Sequence, residues 1–218
     1  MKNIVLINSI IDTPNLPLSY TNTRSVYSKE ERFQQTKYTI ETIKKYIPDP
    51  YIIIVECSNL SEEEQNYFKN NCDKLLNLFD DMQSKKYIYS NSKSAGEGTM
   101  TIKALEYILN LNIEYNSFFK ISGRYFLNEF FNINQFINEY NVVKPANTEI
   151  MNTTFYKLNK KYIKTFLEFL KNSYDKMMKC IAYEALFKYF IDSINDKKYI
   201  SNLGCSGNIA ICGSLAVA

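Results

Sequence analysis

The feature that most restricts the fold of this chain is an alternation of short apolar runs with capped helical patterns. Ile4 to Ile11 is apolar and β-branched, broken only by Asn8 and Ser9, and reads as a first strand. It runs into Asp12-Thr13-Pro14-Asn15-Leu16-Pro17, which can continue neither a helix nor a central strand. Ser28-Lys29-Glu30-Glu31 then fits a capping box, and Phe33, Thr36, Ile40, Ile43 and Ile47 recur at helical spacing until Pro48-Asp49-Pro50 stops them. Tyr51 to Cys57 is almost unbroken apolar sequence, as expected of a strand buried on both faces. A second capping box at Ser61 to Glu64 opens a helix predicted to carry Phe68, Cys72, Leu75 and Phe79 on one face.

The pattern predicts a short strand near Tyr87 to Ser90, a glycine turn at Gly96-Glu97-Gly98, a helix carrying Ile102, Leu105, Ile108 and Leu109, and a strand from Ser117 to Ile121. Beyond Arg124 it predicts a short helix around Asn134 to Tyr140, a strand near Thr154 to Leu158, helices near Lys160 to Leu170 and Lys176 to Ile194, and a last strand at Asn208 to Cys212. Alternation of this kind implies an α/β fold: a three-layer sandwich with helices on both faces of a mostly parallel, mixed sheet. At 218 residues, with no linker or repeat, the chain is expected to form a single domain over residues 1–218.

Composition narrows the chemistry. There is no histidine, which removes the Ser/His/Asp and Cys/His pairs, the imidazole base and every His-dependent metal site. Proton transfer must fall to Asp, Glu, Lys, Tyr or Cys. Tryptophan is absent too, while 18 Tyr and 14 Phe point to a core built on rings. A net charge of +3 with scattered lysine pairs argues against a nucleic-acid partner. Five cysteines without C-x-x-C spacing read as reduced thiols of a cytoplasmic protein, and no apolar run approaches the ~20 residues of a membrane span.

In an open parallel sheet ligands sit beyond the carboxyl ends of the strands, so the residues following each predicted strand are the site candidates. They are Asn8 and Ser9, the later loop triplet Thr23-Arg24-Ser25, Glu56 and Ser58, the segment Lys93 to Thr99, and Ser122-Gly123-Arg124. Arginine is scarce, with only Arg24, Arg32 and Arg124 among 26 basic residues. Two of the three at strand-end loops are consistent with bidentate anion binding, and equally with surface or carboxylate-paired arginines. Gly96 and Gly98 open a predicted helix whose first N–H groups suit a phosphate or carboxylate, although an ordinary tight turn explains them as well. Glu184 shares a predicted helix face with Cys180, Phe187 and Ile191, where burial would raise its pKa toward that of a useful base; pairing with Lys188 at i+4 is the plain alternative.

The order of these pieces resembles the GT-A type glycosyltransferases, the nucleotide-diphospho-sugar transferase superfamily. Ser94-Ala95-Gly96-Glu97-Gly98 through Tyr107 is similar to the family's glycine-containing helix, and Phe118-Phe119-Lys120-Ile121 to the strand that precedes its D-x-D metal motif. Ala182-Tyr183-Glu184 resembles the later acidic helix that supplies a base in many inverting members. The likeness spans roughly Ile4 to Phe190 and implies a Rossmann-like fold, a nucleotide-diphosphate sugar donor and a glycan or other hydroxyl acceptor. One departure matters: Ser122-Gly123-Arg124 stands where the D-x-D would be, and no D-x-D occurs in the chain. No divalent metal such as Mn²⁺ or Mg²⁺ is therefore expected, and Arg124 would supply the positive charge on the departing diphosphate. The resemblance assigns Asn8, Arg24, Glu56, Lys93, Gly96, Glu97, Gly98, Ser122 and Gly123 to the donor site, and Glu184, with Glu97 as its competitor, to deprotonation of the acceptor. A noncatalytic nucleotide- or glycan-binding module on the same scaffold is the alternative, and an interaction protein a third.

Overall fold

The computed structural model describes residues 1–218. Strand β1 (Lys2–Ser9) is central, flanked in parallel by β2 (Pro50–Glu56) and β4 (Tyr115–Ser122), with β3 (Lys74–Asn77) parallel at the outer side of β2. Beyond β4 the sheet changes direction: β7 (Phe155–Asn159) runs antiparallel to it, followed by β6 (Asn141–Val143) and β8 (Lys197–Tyr199). The order β3-β2-β1-β4-β7-β6-β8 is a mostly parallel mixed sheet of seven strands. A second, three-stranded sheet joins β5 (Tyr125–Leu127), β9 (Cys205–Asn208) and β10 (Leu215–Val217).

The central strands alternate between two cores. Ile4, Leu6, Ile53, Val55 and Phe118 face one cluster, completed by α4 (Lys93–Leu109), α5 (Ile163–Asn172) and α7 (Tyr183–Asp192). Val5, Ile7, Ile52, Ile54 and Phe119 face the other, completed by α1 (Lys29–Tyr46) and Phe68 of α2 (Glu62–Asn71). Both faces of the sheet are buried, which is why these strands read as unbroken apolar runs. The three-layer α/β expectation holds. Both capping boxes form, at Ser28 with Glu31 and at Ser61 with Glu64.

Several boundaries differ from the sequence reading, each for a local reason. The second helix stops at Asn71, because Asp73 exchanges hydrogen bonds with Ile52 and draws Lys74–Asn77 into the sheet; Leu75 is a strand residue. Tyr87 to Ser90 is no strand but the end of α3 (Met82–Ile88), capped by Asp81, whose Oδ1 accepts the Ser84 N–H at 3.0 Å. The stretch Asn134 to Tyr140 forms only a 3₁₀ turn at Ile133–Gln135. The helix expected over Lys176 to Ile194 is two, α6 (Tyr174–Met178) and α7, broken where Cys180 takes φ +62°. The last predicted strand falls on the turn of the β9–β10 hairpin, where Gly213 takes φ +74°.

Candidate active site

From β1 the chain passes through α1 to β2 on one side, and only after β3 does it return through α3 and α4 to β4 on the other side of β1, so the strand order reverses at β1 and its carboxyl end lies at a topological switch point. A cleft of about 290 Å³ opens there. Its walls are the long loop after β1, the start of α4, the β4–β5 link, Thr153 and Thr154 before β7, Glu184 at the start of α7, and the hairpin turn Ile209 to Ile211. The loop and the hairpin close on each other: Val26 N–H donates to Ala210 O at 2.8 Å, and the Tyr27 hydroxyl to Gly213 O at 3.1 Å.

Of the residues proposed from sequence, Asn8, Arg24, Lys93, Gly96, Glu97, Ser122, Arg124 and Glu184 line this one cleft. Glu56, Gly98 and Gly123 do not. Arg124 is placed by its neighbours. Gly123 N–H donates to Asn8 O at 2.9 Å, the Thr36 hydroxyl of α1 reaches Gly123 O at 2.9 Å, and a Cβ on Gly123 would stand 3.0 Å from that of Ser9. A side chain there would crowd Ser9 and Thr36, so glycine suits the close pass of the β4–β5 link beside β1. Arg124 then spends Nε alone, on Asn208 O at 3.4 Å, and its four terminal N–H groups have no protein partner. Burial lowers its pKa, and no carboxylate pairs with it. Such a guanidinium is a free bidentate donor.

Arg24 is used differently. Its Nε donates to Leu16 O at 2.7 Å, Nη1 to Ile88 O at 3.3 Å, and Nη2 to Tyr89 O and Ser90 O. It ties the loop to the carboxyl end of α3. Arg32, which the sequence reading only counted among the three arginines, lines the cleft beside these two, with Nε on Ile10 O at 2.5 Å and Nη1 near Ser25 Oγ at 3.3 Å. Burial, reinforced by the like charge of Arg124, pulls its pKa down.

Glu56 lies beneath the cleft and is fully buried; its Oε1 accepts from the Ser58 hydroxyl at 2.6 Å and from the N–H groups of Cys57 and Ile11 at 2.8 and 3.3 Å. Burial pushes its carboxyl up to about 7, against these hydrogen bonds and the Arg32 charge. It anchors the root of the loop. The glycine turn is not a turn: α4 begins at Lys93 with Ser92 as its cap, so Gly96 and Gly98 lie inside the helix. They permit close packing, since a Cβ on Gly96 would stand 3.2 Å from Ile88 O and one on Gly98 would overlap the Met177 side chain.

Two ion pairs complete the site. Lys93 Nζ donates to Glu184 Oε1 at 2.8 Å. Lys188 instead pairs with Asp192. Burial pushes the Glu184 carboxyl up, but Lys93 outweighs it and the net shift is downward, contrary to the raised pKa expected from sequence. Lys120, which sequence reasoning passed over, is fully buried and donates to Glu97 Oε1 at 2.5 Å, Thr153 O at 2.7 Å and Ser122 Oγ at 3.2 Å. All three partners line the cleft. A lysine inside the apolar run Phe118 to Ile121 was the available signal, because a buried ammonium must be paired. Asn8 Nδ2 donates to Thr101 Oγ1 at 3.1 Å, leaving its buried Oδ1 without a partner.

The donor set at the end of β4 does not fit a divalent cation. Ser122 offers one hydroxyl flanked by Lys120 and Arg124, and nowhere in the chain do three Asp, Glu or Cys side chains converge. Arg24, Arg32, Arg124 and Lys93 face the cleft against Glu97 and Glu184, so its wall is net positive.

No family model matches the chain, and no curated protein does. Among solved structures, the glycosyltransferase GlyE of Streptococcus pneumoniae TIGR4 superposes in its apo form with a TM-score of 0.54 at 8% identity, over 92% of this chain. A second structure of GlyE gives 0.52 over the same share. This chain shares its fold with a glycosyltransferase. It spans 45% of the length of those chains. No helix is long and apolar enough to cross a membrane, and all five cysteines are unpaired.

Proposed function

We propose that the cleft takes a nucleotide-diphosphate sugar and transfers its sugar to a hydroxyl acceptor, on a scaffold of the GT-A type in which arginine stands in for the family's metal motif. The observation that carries this reading is Arg124: a guanidinium with four unpartnered N–H groups, at the end of β4, in a net positive cleft at the switch point of a glycosyltransferase-like sheet. The diphosphate that departs in sugar transfer gains negative charge, and a fixed guanidinium stabilises that charge. Asn8 also lines the cleft, and its buried Oδ1 has no protein partner.

Glu184 and Glu97 are the carboxylates that reach the cleft, each held through Oε1 by a lysine and each with Oε2 free of protein partners. We assign Glu184 to the acceptor hydroxyl and Lys93 to positioning it. Its depressed pKa keeps it ionised at neutral pH, but makes it a weaker base. That weakness favours one rival, a binding module on the same fold that holds a sugar nucleotide without turnover.

Release of free nucleoside diphosphate from a panel of sugar nucleotides, with and without EDTA, tests the proposal. Turnover that survives chelation supports it. Abolition by EDTA with rescue by Mn²⁺ or Mg²⁺ overturns the role given to Arg124, and binding of the panel without turnover selects the module. Glu184→Gln should lower turnover about 10²-fold or more with donor affinity kept; loss on Glu97→Gln instead moves the base to Glu97.

A further inference from the structure

Behind the Lys93–Glu184 pair lies a second, smaller cavity of about 230 Å³. Tyr20, Lys93 and Glu184 line both it and the main cleft, so the ion pair is the wall between them. Its other lining includes Ser19, Ser94 and Tyr183.

Two helices begin on this cavity. The N–H groups of Lys93 and Ser94 in the first turn of α4, and of Tyr183 at the start of α7, donate to no protein acceptor, and all three residues line it, whereas the Glu184 N–H turns to its own carboxylate. α7 has no side-chain cap at all. Ser94 is 5% exposed and its Oγ is buried without a partner, a further unexplained polar group at this helix start. Lys93 gives one N–H to Glu184 and has no other protein partner.

Charge decides what such a cavity would accept. Lys93 and Glu184 cancel, no other acid lines the pocket, and each helix start contributes about half a positive charge, so the sum is roughly one positive charge. Unpaired N–H groups, hydroxyls and a net positive field together select an oxyanion over a neutral hydroxyl compound.

We propose that this pocket is an oxyanion site for a carboxylate or phosphate group carried by a substrate, held by Lys93, Ser94 and the starts of α4 and α7. Under the sugar-transfer reading that substrate is the donor sugar or the acceptor, and in this the proposal rests on that reading; binding of the anion itself does not. The pocket is separate from the diphosphate site at Arg124, so one chain can hold two anionic groups on either side of Glu184.

Inorganic phosphate is the probe, titrated by isothermal calorimetry into the full chain and into Lys93→Met, Ser94→Val and Arg124→Met. Lys93 is half exposed, so its variant should fold, and an unliganded melt of each variant checks this. Weakening by about tenfold or more in Lys93→Met and Ser94→Val, with binding retained in Arg124→Met, is the expected result. Unchanged affinity in both pocket variants overturns the proposal, as does loss confined to Arg124→Met, which would place the phosphate in the main cleft. A uronate sugar nucleotide that displaces phosphate where its neutral counterpart does not assigns the anion to the donor sugar; phosphate retained with both assigns it to the acceptor. A chain that binds phosphate here but no sugar nucleotide keeps this site and loses the transferase reading.

Discussion

Replacing Lys120 by methionine removes a charge that organises the cleft while keeping the length of the side chain. The ammonium has no exposed surface, and its three N–H groups go to Glu97 Oε1, Thr153 O and Ser122 Oγ, on α4, before β7 and at the end of β4. With it gone, the Glu97 carboxylate, 11% exposed, loses its counter-ion. Breaking a buried pair from one side costs about 3–5 kcal/mol, a large part of the roughly 5–15 kcal/mol that holds a domain together. At about 2–4 °C per kcal/mol for a chain of this size, the melting temperature should fall by roughly 6–20 °C. Urea unfolding followed by far-UV circular dichroism reads the loss directly. The double variant Lys120→Met/Glu97→Gln separates charge from packing: removing the stranded carboxylate should restore at least half the lost stability. A single variant that loses less than ~1 kcal/mol, or a double variant that loses the sum of the two singles, would refute the idea that Lys120 acts through Glu97.

The two cleft arginines of the strand-end loops should part company. Arg124→Lys should weaken nucleoside diphosphate binding about tenfold or more in calorimetry with the melt unchanged, whereas Arg24→Lys should cost about 1–3 kcal/mol of stability, because its donors already hold carbonyls. Gly204 takes φ +68°, and a Cβ there would stand 2.5 Å from the backbone N of Phe131, so Gly204→Ala should lose roughly 2–5 kcal/mol in urea unfolding. Glu56 gives a pH signature: its folded pKa of about 7 lies above the unfolded value of 4.5, so the folded state binds more protons between them. Stability from this group is full below about 4.5 and falls as pH rises to 7, by about 3 kcal/mol, and Glu56→Gln should flatten the difference between urea midpoints at pH 5 and pH 8.

What could be read in the sequence followed from patterns that burial writes directly. Strands such as Ile4–Ile7 and Ile52–Val55, buried on both faces, have to be continuously apolar, and helices begun by Ser28 and Ser61 carry their caps in plain view. Short elements held by tertiary contacts were not legible. Lys74–Asn77 is a strand because Asp73 and β2 make it one, and the break at Cys180 rests on a backbone conformation that composition does not announce. For the site, the strand-end rule gathered seven residues into one cleft, with Glu184 added from its helix face, yet it could not tell a free arginine from one already spent on carbonyls. It also missed Lys120, whose partners come from three separated segments.

The charge arrangement around β4 has a consistent logic. An acidic motif at this strand end would need a bound cation between it and an anionic ligand, whereas Lys120 and Arg124 bring the positive charge within the chain itself. Lys120 is neutralised from behind by Glu97 and satisfied on every N–H, so it fixes geometry and adds little field to the cleft. Arg124 has no such partner and keeps its field for a ligand. The division between a buried, fully paired cation that positions and a free one that binds follows from desolvation: only the cation that meets a ligand can stay unpaired, because its charge is compensated when the anion arrives. Under the proposed reading, this is how a chain with no histidine and no D-x-D would hold a diphosphate at the switch point of its sheet with side chains alone.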